Sequence, residues 1–244
     1  MGVYFCLYQE RECNETIICV VEELIMRRLR QWTIKHPLLF AGAFMLIYFT
    51  WFSLLEKYAQ PVLTMHSKLD DKIPFCEYFI VPYLLWFVWI LGTFVYFFIK
   101  SREDFYHASR YMFTGMIACL IIYTIIPNGL NLRPEITNNN IFSRLVEMIW
   151  SVDTATNVCP SIHVFNSIAI NTVIQHSNAF KHKKFVHIGS YILAIAICLS
   201  TVFLKQHSVI DVFWACVLGI VLYPLSYKSV FDDAVENKYN VKAS

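Results

Sequence analysis

The chain has 244 residues, of which 57% are hydrophobic and 16% charged, with a net charge of +2 and a mean hydropathy of +0.49. Soluble domains sit near about 45–50% apolar and about 25% charged, so this balance excludes an ordinary soluble enzyme and points to a membrane protein. Basic residues are scattered between apolar runs and offer no face for nucleic acid, so no nucleic-acid partner is expected.

The first 36 residues read as a cytoplasmic, partly helical extension. Met1–Arg30 carries Glu10, Glu12, Glu15, Glu22 and Glu23 and lacks the compact apolar stretch of a cleavable signal peptide. Ile17, Val20, Val21, Leu24, Ile25 and Leu29 recur at helical spacing. Arg27, Arg28 and Arg30 suit anionic headgroups, although an ordinary surface helix fits the same pattern.

Six apolar segments follow, near Pro37–Leu55, Phe79–Ile99, Tyr111–Ile126, Ser161–His176, His187–Leu204 and Ser208–Tyr227. A membrane helix needs about 20 mostly apolar residues, and the third and fourth are short. The expected fold is all-α: an integral membrane bundle of six transmembrane helices over 37–227, preceded by the 1–36 extension and followed by a cytoplasmic tail over 228–244. The aromatics of the second segment, from Trp86 to Phe98, read as lipid-facing packing and interface anchors without chemistry. Between the third and fourth segments, Ile141–Trp150 reads as an amphipathic interfacial helix.

Fourteen of the 20 Lys and Arg fall on the side shared by the two termini, so both termini are expected in the cytoplasm. Arg133, His163, His207 and Asp211 then gather at the outer boundary from three separate stretches of sequence. Eight cysteines show neither CxxC nor zinc-ligand spacing. A Cys76–Cys159 disulfide is the weaker reading of two cysteines placed on one side.

Two polar strings stand out, Cys159-Pro160-Ser161-Ile162-His163 and Ser200 to Asp211. Ionisable groups at membrane depth are costly and point to function. His207 and Asp211, four apart, share a helical face, so the carboxylate can fix the tautomer and leave the other ring nitrogen free to attack. His163 follows Pro160, which suits a helix first turn, and amides near Ser161 would form an anion site. Arg133 presents a fork that matches phosphate oxygens, and Lys205 is a second cation. Singly, each has a structural alternative: a satisfied buried histidine, a loop arginine at headgroup level, a lysine snorkelling to the interface.

Taken together, the set resembles the type 2 phosphatidic acid phosphatase superfamily. Arg133-Pro134 matches the end of its first motif, with Ile126 where the family has Lys. Pro160-Ser161-Ile162-His163 matches Pro-Ser-Gly-His with Ile for Gly, and Ser200-Thr201 lead to His207 and Asp211 with Thr for Arg. The resemblance implies His207 as nucleophile, Asp211 as its partner, His163 as acid/base, and Arg133 and Ser161 as phosphate binders. Lys205 is expected to replace a missing cation. A phosphohistidine path without metal or cofactor is implied, on a lipid phosphate or diphosphate among membrane lipids, at the outer face of a membrane that best fits a bacterial plasma membrane. The string Ser200–His207 also resembles a branch related to inositol-phosphorylceramide synthases, which leaves a headgroup transferase open. The missing cations leave open a non-catalytic lipid binder.

Overall fold

The computed structural model describes residue 28 and residues 31–227, without the side chains of 225–227. The extension's expected helical pattern, Arg28 apart, and the 228–244 tail lie outside the described residues. The chain falls into two compact units, Met1–Ile47 and Tyr48–Ser244. In the first, residues 31–35 are helical and the Trp32 and His36 rings lie 5.7 Å apart.

Helix α1 runs Pro37–Tyr58, opening on a proline that suits a first helical position and ending shortly before Pro61. Helix α2 (Ile80–Lys100) follows a 3-10 turn over Glu77–Phe79 and stops at Ser101. Ser101 then caps α3 (Arg102–Ile125) by accepting from the Asp104 N–H at 3.4 Å, with Glu103 and Asp104 in the first turn where the helix dipole favours them. The third apolar segment was expected from Tyr111; the helix begins at Arg102 because this cap and the acidic first turn extend it through a polar stretch. The buried Asp104 carboxylate is satisfied by the Ser177 hydroxyl at 2.6 Å.

Asn140 caps the amphipathic α4 (Ile141–Val152) through the Ser143 N–H at 2.9 Å. Its apolar face includes the buried Val146, while Ile141, Met148 and Val152 are exposed. Helices α5 (Ile162–His176), α6 (Lys184–Phe203) and α7 (Val209–Tyr227) complete the chain's described part. Helix α5 lies at the centre, packed against α2, α3, α6 and α7. Its contact with α3 needs Gly115, because a Cβ there would overlap the fully buried Phe165 ring. The Tyr111 hydroxyl donates to the Gly219 carbonyl at 2.6 Å and ties α3 to α7.

Among the described residues four helical stretches are long and apolar enough to cross a membrane: Pro37–Tyr58, Glu77–Lys100, Arg102–Ile125 and Lys184–Phe203. Val209–Pro224 is a shorter apolar helix, and α5 has 15 residues. The chain is thus mostly helical, with one unanticipated addition. Strands β1 (Leu63–Thr64) and β2 (Asn128–Gly129) pair in parallel, Leu63 with Asn128 and Thr64 with Gly129. This pair straps the loop after α1 onto the loop after α3.

Candidate active site

The site begins with a buried asparagine. Asn128 Oδ1 accepts from the Val158 and Cys159 N–H groups at 2.9 and 2.8 Å, and its Nδ2 donates to the Cys159 carbonyl at 3.0 Å. The Tyr123 hydroxyl donates to the Pro160 carbonyl at 2.5 Å. These bonds hold the turn that enters α5. Ser161, fully buried, is the N-cap and accepts from the Val164 N–H at 3.3 Å. Pro160 therefore precedes the helix and does not occupy its first turn. The Ile162 and His163 amides have no intrahelical acceptor, as expected of a helix start.

A second turn carries His207. Helix α6 ends at Phe203, and Lys205 takes a left-handed conformation with φ 54°. Its ammonium is buried and donates to the Asp70 and Ile73 carbonyls at 2.8 and 2.6 Å. Burial pushes the Lys205 ammonium below its ordinary value, against the pull of Asp70 and Asp71. The buried Asp70 carboxylate returns the contact. It accepts from the Ser208 hydroxyl at 2.6 Å and from the Ser67 and Val209 N–H groups at 2.7 and 2.9 Å. Asp70 thus caps α7 from a distant loop. Asp211, in the first turn of α7, accepts from the Ser208 N–H at 2.8 Å. Its backbone carbonyl accepts from the Ser161 N–H at 3.2 Å, which joins the two turns directly.

His207 precedes α7, so it meets Asp211 across the capping turn and not along one helical face as the spacing suggested. His207 Nδ1 lies 3.3 Å from Asp211 Oδ2, with the carboxylate wholly buried. His207 Nε2 lies 3.4 Å from His163 Nδ1. The other nitrogen of His163, Nε2, lies 3.0 Å from the Tyr83 hydroxyl, which donates to Asp153 Oδ2 at 3.1 Å. Trp86 Nε1 donates to the His163 carbonyl at 3.2 Å, and its ring packs on the imidazole at 4.6 Å.

Arg133 stands beside Asp153. Its Nη1 donates to the Trp150 carbonyl at 3.1 Å, and its Nη2 donates to the Asp153 carbonyl at 2.7 Å and to Gln206 Oε1 at 2.5 Å. Nε is buried without a protein partner, as is Gln206 Nε2. Burial pulls the Arg133 guanidinium down, opposed by Asp153, Tyr83 and Glu56. Burial also pushes the Asp153 carboxyl up, opposed by His207, the Tyr83 hydroxyl and Arg133 and assisted by Glu56. Cys159 and Cys76 are free thiols, and burial together with Asp211 pushes Cys159 up, away from nucleophilic use.

Of the six residues singled out from sequence, the fold brings His163, His207 and Asp211 into one hydrogen-bonded chain. Ser161 is tied to that chain through Asp211, with its hydroxyl engaged as a cap. Arg133 reaches it through Gln206 and Asp153. Lys205 is placed differently: two of its three donors are taken by the Asp70 and Ile73 carbonyls, which tie it to the loop after α1. Trp86 lies in the aromatic stretch that reads as lipid packing, with Tyr83 just ahead of it in the same apolar segment, while Asp153, just before Pro160-Ser161-Ile162-His163, reads from the sequence either as lining the site or as a plain loop residue. Only the three-residue spacing of Tyr83 and Trp86 hinted at a shared face, and the neighbouring aromatics repeat that spacing many times.

No curated protein and no solved structure matches the chain. Residues 108–234, just over half of the 244, match the model of the PAP2 superfamily. The match encloses Arg133, the α5 cap turn and the His207 turn. The chain therefore belongs to the PAP2 superfamily, a membrane-associated family whose members are generally phosphatases acting on phosphate esters.

Proposed function

We propose that this membrane protein is a lipid phosphatase that hydrolyses a lipid phosphate or diphosphate through a phosphohistidine, without a metal. The observation that carries the reading is the histidine pair: His207 Nδ1 against Asp211, His207 Nε2 free of it and 3.4 Å from His163 Nδ1. Asp211 holds the His207 proton at Nδ1 and stabilises the charge that the ring gains, as a carboxylate does for a catalytic imidazole. The Nε2 lone pair attacks phosphorus while the bond to the leaving oxygen breaks. His163 gives that oxygen a proton, then takes one from the water that cleaves the phosphorus–nitrogen bond. The free Arg133 Nε and the Ile162 and His163 amides supply donors to the phosphate. Lys205 serves to hold the His207 turn.

The same reading makes α5 and α7 membrane crossings together with the four longer helices. It places both termini in the cytoplasm and the site at the outer boundary of a bacterial plasma membrane. A short α5 suits this arrangement, because its N-terminus ends at a polar site and not in hydrocarbon.

Phosphate release by the detergent-solubilised full chain tests the proposal, with phosphatidic acid and a polyprenyl diphosphate as substrates and a chelator present. Release should vanish in His207→Ala and fall by roughly 10²- to 10⁴-fold in His163→Ala. Substantial release by His207→Ala would sink the mechanism. Formation of a new lipid in place of free phosphate would assign the headgroup transferase instead. Binding with no turnover of any kind would leave the lipid binder.

A further inference from the structure

We propose that Tyr83 and Asp153 are positioning residues that fix the proton arrangement of His163 and aim its transferable proton from Nδ1. The inference rests on the phosphohistidine reading above and goes beyond its motif residues, since Tyr83 lies on α2, outside every motif.

Tyr83 has a single hydrogen, and the Asp153 carboxylate 3.1 Å away can only accept it when ionised. The Tyr83 oxygen is then an acceptor toward His163 Nε2 at 3.0 Å, so Nε2 carries hydrogen. In neutral His163 that leaves Nδ1 bare, facing the reacting centre 3.4 Å from His207 Nε2. In protonated His163 the second hydrogen sits on Nδ1, aimed at that centre. The proton given to the leaving oxygen departs from Nδ1, and the proton of the attacking water returns there. Nε2–H never leaves Tyr83, so the ring does not need to flip between the two half-reactions.

Packing supports a fixed ring. Tyr83 is almost fully buried, the Tyr83 and Trp86 rings lie 4.9 and 4.6 Å from the imidazole, and Trp86 bonds the His163 carbonyl. Charged and titratable groups facing the relay are His207 from the turn before α7, Arg133 from the loop after α3, and Glu56 from α1. Burial raises the proton affinity of Asp153, which makes its carboxylate a stronger acceptor for the Tyr83 hydroxyl.

The test is Tyr83→Phe, which keeps the ring and removes the hydroxyl. Two substrates are compared: a short-chain phosphatidic acid, whose alkoxide must be protonated, and a nitrophenyl phosphate ester, whose phenolate leaves unaided. On phosphatidic acid, kcat of Tyr83→Phe should fall about 10- to 100-fold with KM nearly unchanged, a part of the general-acid contribution. On the nitrophenyl ester the loss in kcat/KM, which reports phosphoryl transfer to His207 before water attacks, should be under about threefold, because no acid is needed in that step. The alkaline limb of kcat should move to lower pH, since imidazolium without its Nε2 acceptor gives up its proton more readily. Equal losses on both esters with an unmoved limb, or wild-type rates on both, would overturn the proposal. Nitrogen-15 NMR of histidine-labelled full chain, with His163 assigned by His163→Asn, reads the tautomer without turnover. Nε2–H in the wild type and a mixture in Tyr83→Phe support the proposal, and no change overturns it. If the wild type shows no His207-dependent release, the phosphatase reading fails while this measurement still decides the relay.

Discussion

Asp153 and Arg133 carry the clearest conflicts between stability and use. Burial raises the folded-state value of Asp153 above that of the unfolded chain. Its contribution to stability is therefore full below the ordinary carboxylate range and is lost as pH rises through the folded value. Asp153→Asn keeps an acceptor for Tyr83 and removes a buried charge. It should melt higher than the wild type near neutral pH, with the gap closing as pH falls to about 4. Thermal unfolding in detergent across that range checks the sign, and a gap that widens on acidification would refute it. Arg133 answers to geometry. Its guanidinium serves the Trp150 and Asp153 carbonyls and Gln206 at once, which an ammonium cannot reproduce. Arg133→Lys should therefore lose more than about tenfold in kcat/KM and also unfold earlier, a desolvated carbonyl left unpaired costing about 1–3 kcal/mol. The residue types at these positions were legible in the sequence. Their partners were not, because each bond joins positions tens of residues apart.

Two contacts between elements set the position of the site. The α3–α5 approach depends on Gly115, and Gly115→Ala would force the buried Phe165 ring out of place. Overpacking of this kind costs about 1–3 kcal/mol, measurable as a lower midpoint of thermal unfolding with His163 chemistry otherwise intact. The second contact is the clasp between the loop after α1 and the turn before α7. Asp70 accepts from Ser67, Ser208 and Val209, while Lys205 donates back to the Asp70 and Ile73 carbonyls. Asp70→Ala should cost about 2 kcal/mol as a lost buried cap and lower kcat by loosening His207. Lys205→Met should behave in the same way, with reduced stability and kcat and little change in KM. A rise in KM alone, with stability retained, would return Lys205 to the phosphate. Hydropathy found the apolar helices, and periodicity found α4 within two residues. It set the start of α3 late, because a Ser cap with two acidic residues extends a helix through residues that look like a loop.

For the whole molecule, the proposed crossing pattern has a direct consequence. A membrane-impermeant thiol reagent should label Asn139→Cys in intact cells above the wild-type background and should reach Lys181→Cys only after lysis. Both positions are exposed and lie at opposite ends of the proposed bundle. The reverse pattern would turn the site to the cytoplasm. Family membership rests on a stretch that begins at residue 108, yet the site draws on Tyr83 and Trp86 from α2 and on Asp70 from the loop after α1. The segments before the matched stretch therefore help build the candidate site.

The sequence by itself determined that the chain is a mostly helical membrane protein and which family it belongs to. Long apolar runs declare themselves locally, and motif spacing survives in one dimension. Only the tertiary structure decided that Lys205 holds a loop, that His207 meets Asp211 across a capping turn, and that Tyr83 lies between Asp153 and His163. Those outcomes depend on which carbonyls and carboxylates remain unsatisfied once the helices pack, and no local pattern of residues encodes that.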